Sequence, residues 1–117
     1  MSNIDTMTGS EFEEFLDRLF KKQGYEVEVT QKSNDQGADL LLQKSGQRIV
    51  VQAKRYKNNV GNNAVQQITA AKNYYNCHYA MIVTNSYFTS SAKELAFAND
   101  IKLWNRNRLE KEIKTTF

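Results

Sequence analysis

Residues 35–57 read DQGADLLLQKSGQRIVVQAKRYK, a pattern that predicts a β-hairpin. Two apolar runs, at 38–42 and 49–51, flank a short polar segment centred on Ser45 and Gly46. Glycine supplies the positive φ that a tight turn requires. We therefore expect the chain to reverse at Ser45 and Gly46, and the two runs to pair as antiparallel strands.

The register of this hairpin brings three polar side chains together at its open end. If Ser45 and Gly46 form the turn, opposed residues have numbers that sum to 91, so Asp39 lies opposite Gln52. Lys54 lies one diagonal step away, and alternation puts all three side chains on one face. Many hairpins have one solvated polar face, so this geometry alone leaves a purely structural role open. The other face is wholly apolar and consists of Ala38, Leu40, Leu42, Ile49, Val51 and Ala53.

The segments around the hairpin predict helices and strands in alternation. Apolar residues at helical spacing indicate helices, and alternating or continuous short apolar runs indicate strands. The predicted order is α-β-β-β-α-β-α-β-α. The helices are expected at about 10–23, 64–75, 91–98 and 108–113, and the further strands at 25–30, 79–84 and 101–104.

Helix starts are predicted from capping patterns. Ser10 with Glu13, and Ser91 with Glu94, match the S-x-x-E capping box that begins a helix. Residues 1–9 are therefore expected to form a short leader. The asparagines of the loop at 58–63 are expected to cap the helix that follows.

Length and composition indicate one ordinary soluble globular domain spanning residues 1–117. Apolar residues make up 40% of the chain and charged residues 25%, close to the averages for folded domains. No apolar run is long enough for a membrane span. The single cysteine, Cys77, cannot form an internal disulfide, so we expect a reducing, cytoplasmic location, and a structural zinc site is disfavoured.

The charge is distributed unevenly along the chain. Residues 1–30 contain seven acidic and three basic residues, whereas residues 31–117 contain six acidic and thirteen basic residues. This asymmetry suits a polyanionic partner whose phosphates are held by Lys and Arg. Charge alone favours an ordinary solvated surface.

The sequence of the hairpin and of the segments around it resembles the catalytic domain of the Mrr-type restriction endonucleases, within the PD-(D/E)xK nuclease superfamily. The resemblance implies an α/β fold with a restriction-endonuclease-like core, in which helices flank a central mixed β-sheet. It also implies Mg²⁺-dependent hydrolysis of DNA phosphodiester bonds, with Mn²⁺ able to substitute. The matching segments are GSEFEEFLDRLFKKQGYEVEVT (9–30), DQGADLLLQ (35–43), VVQAKRYK (50–57), AMIVTNSYFTSSAKELA (80–96) and IKLWNRNRL (101–109).

The resemblance assigns roles to residues of the hairpin and the first helix. It implies that Asp39 is the principal metal ligand, that Gln52 and the carbonyl of Ala53 are further ligands, and that Lys54 is the motif lysine. Gln52 stands where the wider superfamily often has Glu, so the site has one negative charge fewer. A second carboxylate would therefore contribute more to binding the metal. Glu13 matches the acidic residue of the family's first helix, although a capping box explains it too. Asp35 could reach the metal through water, but a turn explains it better.

Residues just past the motif and near the carboxyl terminus are candidates for contacts to DNA phosphates. Ordinary solvated surface is the alternative for each of them. No recognition domain is visible in these 117 residues, so we expect little or no sequence specificity, and a separate recognition subunit is a candidate partner. The candidates are Arg55, Tyr56, Lys57, Gln66, Gln67, Arg106 and Arg108.

The leading hypothesis is a Mg²⁺-dependent DNA endonuclease acting as a homodimer, because one site cuts one strand and two sites related by a twofold axis can cut a duplex. One alternative is a structure-selective nuclease that resolves Holliday junctions or acts in repair. A second is a non-catalytic DNA-binding module on the same fold, and a remoter one is an RNA-directed nuclease. A membrane is not an expected partner.

Overall fold

The computed structural model describes residues 1–30 and 37–117, and its elements follow the predicted order with one additional short helix at the start. Asp35 lies outside the described residues. The helices are α1 (Ser2–Asp5), α2 (Gly9–Lys22), α3 (Asn62–Tyr74), α4 (Ser90–Ala98) and α5 (Arg106–Thr116). The strands are β1 (Glu26–Val29), β2 (Leu40–Lys44), β3 (Gln47–Lys54), β4 (Tyr79–Thr84) and β5 (Ile101–Trp104).

The five strands form one mixed sheet in the order β1-β2-β3-β4-β5. The first two pairs are antiparallel, and β3, β4 and β5 run parallel to one another. A tight turn can join antiparallel strands, whereas parallel strands need a crossover, which α3 and α4 provide here. The carboxyl ends of β3, β4 and β5 therefore lie along one edge of the sheet.

The predicted hairpin register is confirmed within the strands. Paired residues run from Leu40 with Val51 to Lys44 with Gln47, each pair summing to 91. Ser45 and Gly46 form the turn with φ of 53° and 77°, the two positive values that a two-residue hairpin turn of type I′ requires.

The regular register stops one residue short of Asp39. The N–H of Asp39 donates to Val51 O at 2.8 Å, so Asp39 leaves the ladder and does not form the predicted pair with Gln52. Strand alternation consequently does not extend back to Ala38. The prediction that Ala38 shares a face with Leu40 is wrong, because Ala38 packs in the apolar cluster on the opposite side of the sheet.

Helices cover both faces of the sheet. On one face, α2 and α5 bury Phe12, Leu16 and Leu109 against side chains of β2 and β3. On the other face, α3 and α4 pack over Val50, Ile82 and their neighbours. Strand β4 is thus buried on both sides, as its short apolar sequence predicts, and β3 is buried on both sides at Val50, Val51 and Gln52. No helix within residues 1–30 and 37–117 is long and apolar enough to cross a membrane.

The amino-terminal segment belongs to the folded domain, so the predicted leader is wrong. Residues 2–5 form α1, whose Ile4 is only 4% exposed in the core beside α2. Helix α2 then begins at Gly9, with Thr8 and Glu11 forming the capping box. The predicted box of Ser10 and Glu13 is wrong because an equivalent T-x-x-E pattern occurs two residues earlier.

The other predicted caps also move towards the amino terminus. Thr89, and not Ser91, accepts the hydrogen bond at the start of α4, from Ala92 N at 3.0 Å. Gly61 occupies the cap position of α3 without a side-chain hydrogen bond, so the predicted asparagine cap is absent there. Asn105 caps α5, which therefore begins two residues before its predicted start.

Candidate active site

A cavity of about 530 Å³ opens at the carboxyl end of β3, beside α3. We call it the Asp39 cavity. Its walls bring together the predicted residues Asp39, Gln52, Ala53 and Lys54, which come from both arms of the hairpin. Helix α3 contributes Gln67 and Ala70, and Gly37 completes the lining.

Asp39 is held in place by hydrogen bonds to β3 and to Thr30, the residue that follows β1. Ala53 N–H donates to Asp39 Oδ2 at 2.7 Å, which joins the carboxylate directly to the backbone of the opposite strand. The Asp39 N–H donates to Val51 O, and its carbonyl accepts from Thr30 N–H at 3.1 Å. A carboxylate held at its backbone and at one oxygen keeps one orientation, as a preorganised site requires.

Gln52 is 2% exposed and presents its amide to α3. Its Nε2 donates to Gln67 Oε1 at 2.9 Å. Its Oε1 is buried and accepts no hydrogen bond from the described residues. A buried acceptor without a partner destabilises a protein by about 1–3 kcal/mol, so this oxygen is suited to binding a donor or a cation.

Lys54 ends β3 at the wall of the Asp39 cavity. Its Nζ lies 5.6 Å from the centroid of the Tyr56 ring, within the range of a cation–π contact. Its carbonyl accepts a hydrogen bond from Thr84 Oγ1 at 2.6 Å, which ties the end of β3 to the end of β4. The ammonium group therefore stands on a backbone that the neighbouring strand anchors.

The donor set of the Asp39 cavity fits a hard cation, although the structure contains no dense acidic cluster. Mg²⁺ prefers oxygen ligands, uses one or two carboxylates, and keeps several waters. Asp39 offers a carboxylate, and Gln52 Oε1 offers the buried oxygen without a partner. Within residues 1–30 and 37–117, no three Asp, Glu, His or Cys side chains group closely enough to hold a metal by themselves.

Glu13 stands apart from this lining. It is buried, 8% exposed, on α2, whose apolar residues cover the sheet face opposite to α3. Glu13 is not among the described residues that line the Asp39 cavity. The capping box of Thr8 and Glu11 also removes the structural explanation that the sequence offered for it.

Four of the candidate DNA contacts meet in a second cavity of about 420 Å³ on the same edge of the sheet. We call it the Arg55 cavity, and Arg55, Tyr56, Lys57 and Arg106 line it. Arg108 lies elsewhere, with its Nε 2.8 Å from Glu112 Oε2 and its guanidinium 5.2 Å from the Trp104 ring centroid.

The Arg55 cavity contains an ion pair that sequence reasoning missed. Arg106 donates from Nη1 to Asp5 Oδ1 at 2.8 Å and from Nη2 to Asp5 Oδ2 at 3.0 Å. Asn85 Nδ2 donates to Asp5 Oδ1 at 2.9 Å. The hydrogen bonds from Arg106, and then from Asn85, lower the pKa of Asp5 to about 2.

Only part of this pair had a signal in the sequence. Asn85 directly follows the buried strand β4, and a polar residue at the carboxyl end of a parallel strand is a recognised indication of a site. Asp5 had no such signal, because its partner Arg106 lies 101 residues away along the chain.

Comparison with known protein families shows to which family the chain belongs. A family model described as a restriction endonuclease, the Mrr catalytic-domain type, matches residues 4–113. The chain belongs to the Mrr-type restriction endonuclease family. The match covers nearly all of the chain, including the hairpin and both cavities.

Solved structures with the same fold have little sequence in common with the chain, and no curated protein matches it. The Mrr-type domain superposes on the protein of unknown function AF1548 with a TM-score of 0.76 at 18% identity, covering 88% of this chain and 64% of that one. It matches the DNA modification-dependent restriction endonuclease AspBHI with a TM-score of 0.70 at 18% identity, covering 90% and 30%. It matches EndoMS in its apo form with a TM-score of 0.62 at 17% identity, covering 85% and 46%.

These likenesses confirm the predicted restriction-endonuclease-like fold. The chain spans less than two thirds of the length of each of the three solved proteins.

Proposed function

We propose that this domain is a Mg²⁺-dependent DNA endonuclease that hydrolyses phosphodiester bonds, with little or no sequence specificity on its own. Membership of the Mrr-type family supports nuclease chemistry on DNA. The observation that carries the proposal is the buried Gln52 Oε1 without a partner, next to the carboxylate that Ala53 N–H holds in place. An oxygen donor of this kind suits a divalent cation.

The proposed metal ligands are Asp39, Gln52 Oε1, the carbonyl of Ala53 and Glu13. Asp39 supplies the negative charge, and Gln67 keeps the Gln52 amide oriented through its hydrogen bond to Nε2. A bound Mg²⁺ supplies charge that polarises the scissile phosphate and favours ionisation of the attacking water, and Mn²⁺ can replace it. Glu13 is the proposed second carboxylate, which Gln52 does not provide; it lies on α2 outside the lining of the Asp39 cavity, so family resemblance alone supports this role.

Lys54 is proposed to stabilise the charge that develops on the phosphate in the transition state, or to orient the attacking water. A fixed ammonium at this point acts where negative charge accumulates. Its position at the end of β3, with its backbone anchored by Thr84, supports that role.

The proposed contacts to DNA are Arg55, Tyr56, Lys57, Gln67, Arg106 and Arg108. Arg106 and Arg108 already form ion pairs with Asp5 and Glu112, so a contact to DNA would use guanidinium donors that these carboxylates do not occupy. A homodimer would supply two sites for the two strands of a duplex. A separate recognition subunit would supply sequence specificity.

The test of the proposed function is metal-dependent cleavage by variants of the Asp39 cavity. Asn at position 39 keeps an acceptor for Ala53 N–H but removes the charge, so Asp39→Asn should lower the cleavage rate about 100-fold or more while the protein stays folded. Lys54→Met should cause a comparable loss. Lys111→Met, at an exposed position on α5, is the matched control and should cut like the wild type.

The same assay separates the alternatives when it uses linear duplex, single-stranded, flap and four-way-junction DNA with Mg²⁺ or Mn²⁺. Strong preference for one branched form would favour a structure-selective nuclease. Binding without cleavage by the wild type would favour a non-catalytic binding module. Unchanged cleavage by both Asp39→Asn and Lys54→Met would show that the site assignment is wrong.

A further inference from the structure

The Arg55 cavity and the Asp39 cavity are separate, but consecutive residues of the chain line them. Lys54 lines the Asp39 cavity, and the next three residues along the chain line the Arg55 cavity. Both cavities lie where β3 ends. A ligand long enough to cross the end of β3 would therefore occupy both.

The walls of the Arg55 cavity carry an excess of positive charge. Three cationic side chains, of Arg55, Lys57 and Arg106, face one carboxylate, that of Asp5, among the described residues that line it. Asp5 is committed to Arg106 through two hydrogen bonds. The charges of Arg55 and Lys57 are thus the ones that the lining does not neutralise.

The Arg55 guanidinium has a buried donor with no partner among the described residues. Its Nη1 donates to the carbonyl of Asp5 at 3.0 Å, which fixes the plane of the group. Its Nε is buried and donates no hydrogen bond to the described residues. An unpaired buried donor on a cation is strongly unfavourable, and a phosphate oxygen is the acceptor that best complements it.

The remaining walls suit a nucleotide unit and not a bare ion. Tyr56 is 40% exposed and Tyr87 is 41% exposed, so each offers an aromatic surface against which a base can stack. Tyr87 Oη donates to Asn107 Oδ1 at 3.1 Å, and Tyr56 N–H donates to Asn85 Oδ1 at 2.8 Å. The first contact holds the ring of Tyr87 in place, and the second holds the backbone of Tyr56.

We propose that the Arg55 cavity binds one phosphate of the DNA strand, with Arg55 and Lys57 as its ligands, while a neighbouring phosphate of the same strand lies in the Asp39 cavity. The inference rests on the proposed function, since it takes DNA as the substrate. Asp5 and Arg106 act as positioning residues that hold Arg55 through the Asp5 carbonyl. The cavity thereby determines which phosphate reaches Lys54.

The first test is the salt dependence of DNA binding without a catalytic metal. Each lost phosphate contact should lower the slope of log affinity against log salt by about one. Between 50 and 200 mM salt, the affinity loss of Arg55→Gln and of Lys57→Gln should each be about threefold smaller than that of the wild type. Lys114→Gln, near the far end of α5, is the control and should keep the wild-type slope.

The second test locates the phosphate. A set of oligonucleotides, each with one neutral methylphosphonate linkage, should contain one position that weakens wild-type binding more than it weakens binding by Lys57→Gln, because only Arg55 still contacts that phosphate in the variant. Lys57 is exposed, so this variant tests the proposal even if Arg55→Gln unfolds.

The outcomes distinguish this inference from the proposed function. If the wild type binds and cuts DNA but both variants keep its salt slope, or if no single linkage couples to Lys57, the phosphate site is wrong and the nuclease assignment stands. If the wild type binds no DNA, both are overturned.

Discussion

At the scale of single residues, Gln52 sets the charge of the Asp39 cavity. A carboxylate there would add one negative charge beside Asp39, whereas the amide contributes only a dipole. A cation bound at this point would be held more weakly than by a Glu side chain, because attraction between opposite charges in a partly buried site exceeds that between a charge and a dipole. The atom that would meet a bound cation is Gln52 Oε1, which is buried and has no partner among the described residues.

We predict that Gln52→Glu lowers the Mg²⁺ concentration needed for half-maximal cleavage, by roughly tenfold, which corresponds to about 1.4 kcal/mol. Gln67 can turn its amide to donate to the new carboxylate, so the contact to α3 is kept. A Mg²⁺ titration of the cleavage rate is the measurement. Gln43→Glu, at an exposed position on β2, is the control, and an equal shift in both variants would contradict a local effect.

At the scale of elements, the close approach of Gly37 to α3 joins the loop before β2 to the helix that holds Gln67. A Cβ atom at Gly37 would lie 2.8 Å from Gln67 Cβ and 2.9 Å from the Gln67 carbonyl oxygen. The backbone at Gly37 also has a φ of +84°, which residues with a side chain rarely adopt. Only glycine lets the loop and the helix pack at this distance.

We predict that Gly37→Ala weakens cleavage and lowers the free energy of unfolding by about 2 kcal/mol or more, because left-handed strain and a backbone clash add together. Gly46→Ala is the matched control, since Gly46 has a φ of +77° but open space around its Cβ. It should show only the strain, about 1 kcal/mol, and retain cleavage. Urea unfolding and a cleavage assay of both variants test this, and equal effects would rule out the clash.

The elements also show how far local sequence determines this structure. The hairpin could be predicted because its turn residues and its alternating apolar side chains lie within one short segment. The helix starts were misplaced because Thr8 and Glu11 match the same capping pattern as Ser10 and Glu13, and the pattern alone does not rank them.

The candidate site also combines residues that local sequence predicts with contacts that depend on distant parts of the chain. That Asp39, Gln52 and Lys54 line one cavity could be predicted from the hairpin and from family resemblance, although Asp39 leaves the regular ladder. The hydrogen bond of Gln67 to Gln52 could not, because it depends on how α3 packs. Helix α1 and the role of Asp5 were missed because their partner, Arg106, is distant in the chain.

At the scale of the whole molecule, the ion pair of Asp5 and Arg106 connects the two ends of the described chain. It fastens α1 to the start of α5, and through the Asp5 carbonyl it also holds Arg55. The native pKa of Asp5 is about 2, below its ordinary value of 3.8. Its stabilising effect is therefore fully present above about pH 4 and is lost as pH falls through 2.

We predict that Asp5→Asn lowers the free energy of unfolding by about 1 kcal/mol at neutral pH, a figure reduced because the pair is partly open to solvent. The difference from the wild type should shrink between about pH 4 and pH 2, where the wild type also loses the charge. Urea unfolding at pH 7, 4 and 2.5 measures it. Asp100→Asn, exposed on the loop before β5, is the control, and a difference that does not depend on pH would contradict the prediction.

The two cavities differ in how much of the chain must come together to build them, and this bears on the order of folding. The residues that line the Asp39 cavity fall within 37–70, and the side-chain hydrogen bonds between Asp39 and Ala53 and between Gln52 and Gln67 join residues 14 and 15 positions apart. The Arg55 cavity needs a contact across 101 positions, for which loop closure costs about 2 kcal/mol more conformational entropy. We therefore expect the Asp39 cavity to assemble early on the folding pathway. The Arg55 cavity, which is proposed to position DNA, should form only when Asp5 and Arg106 meet.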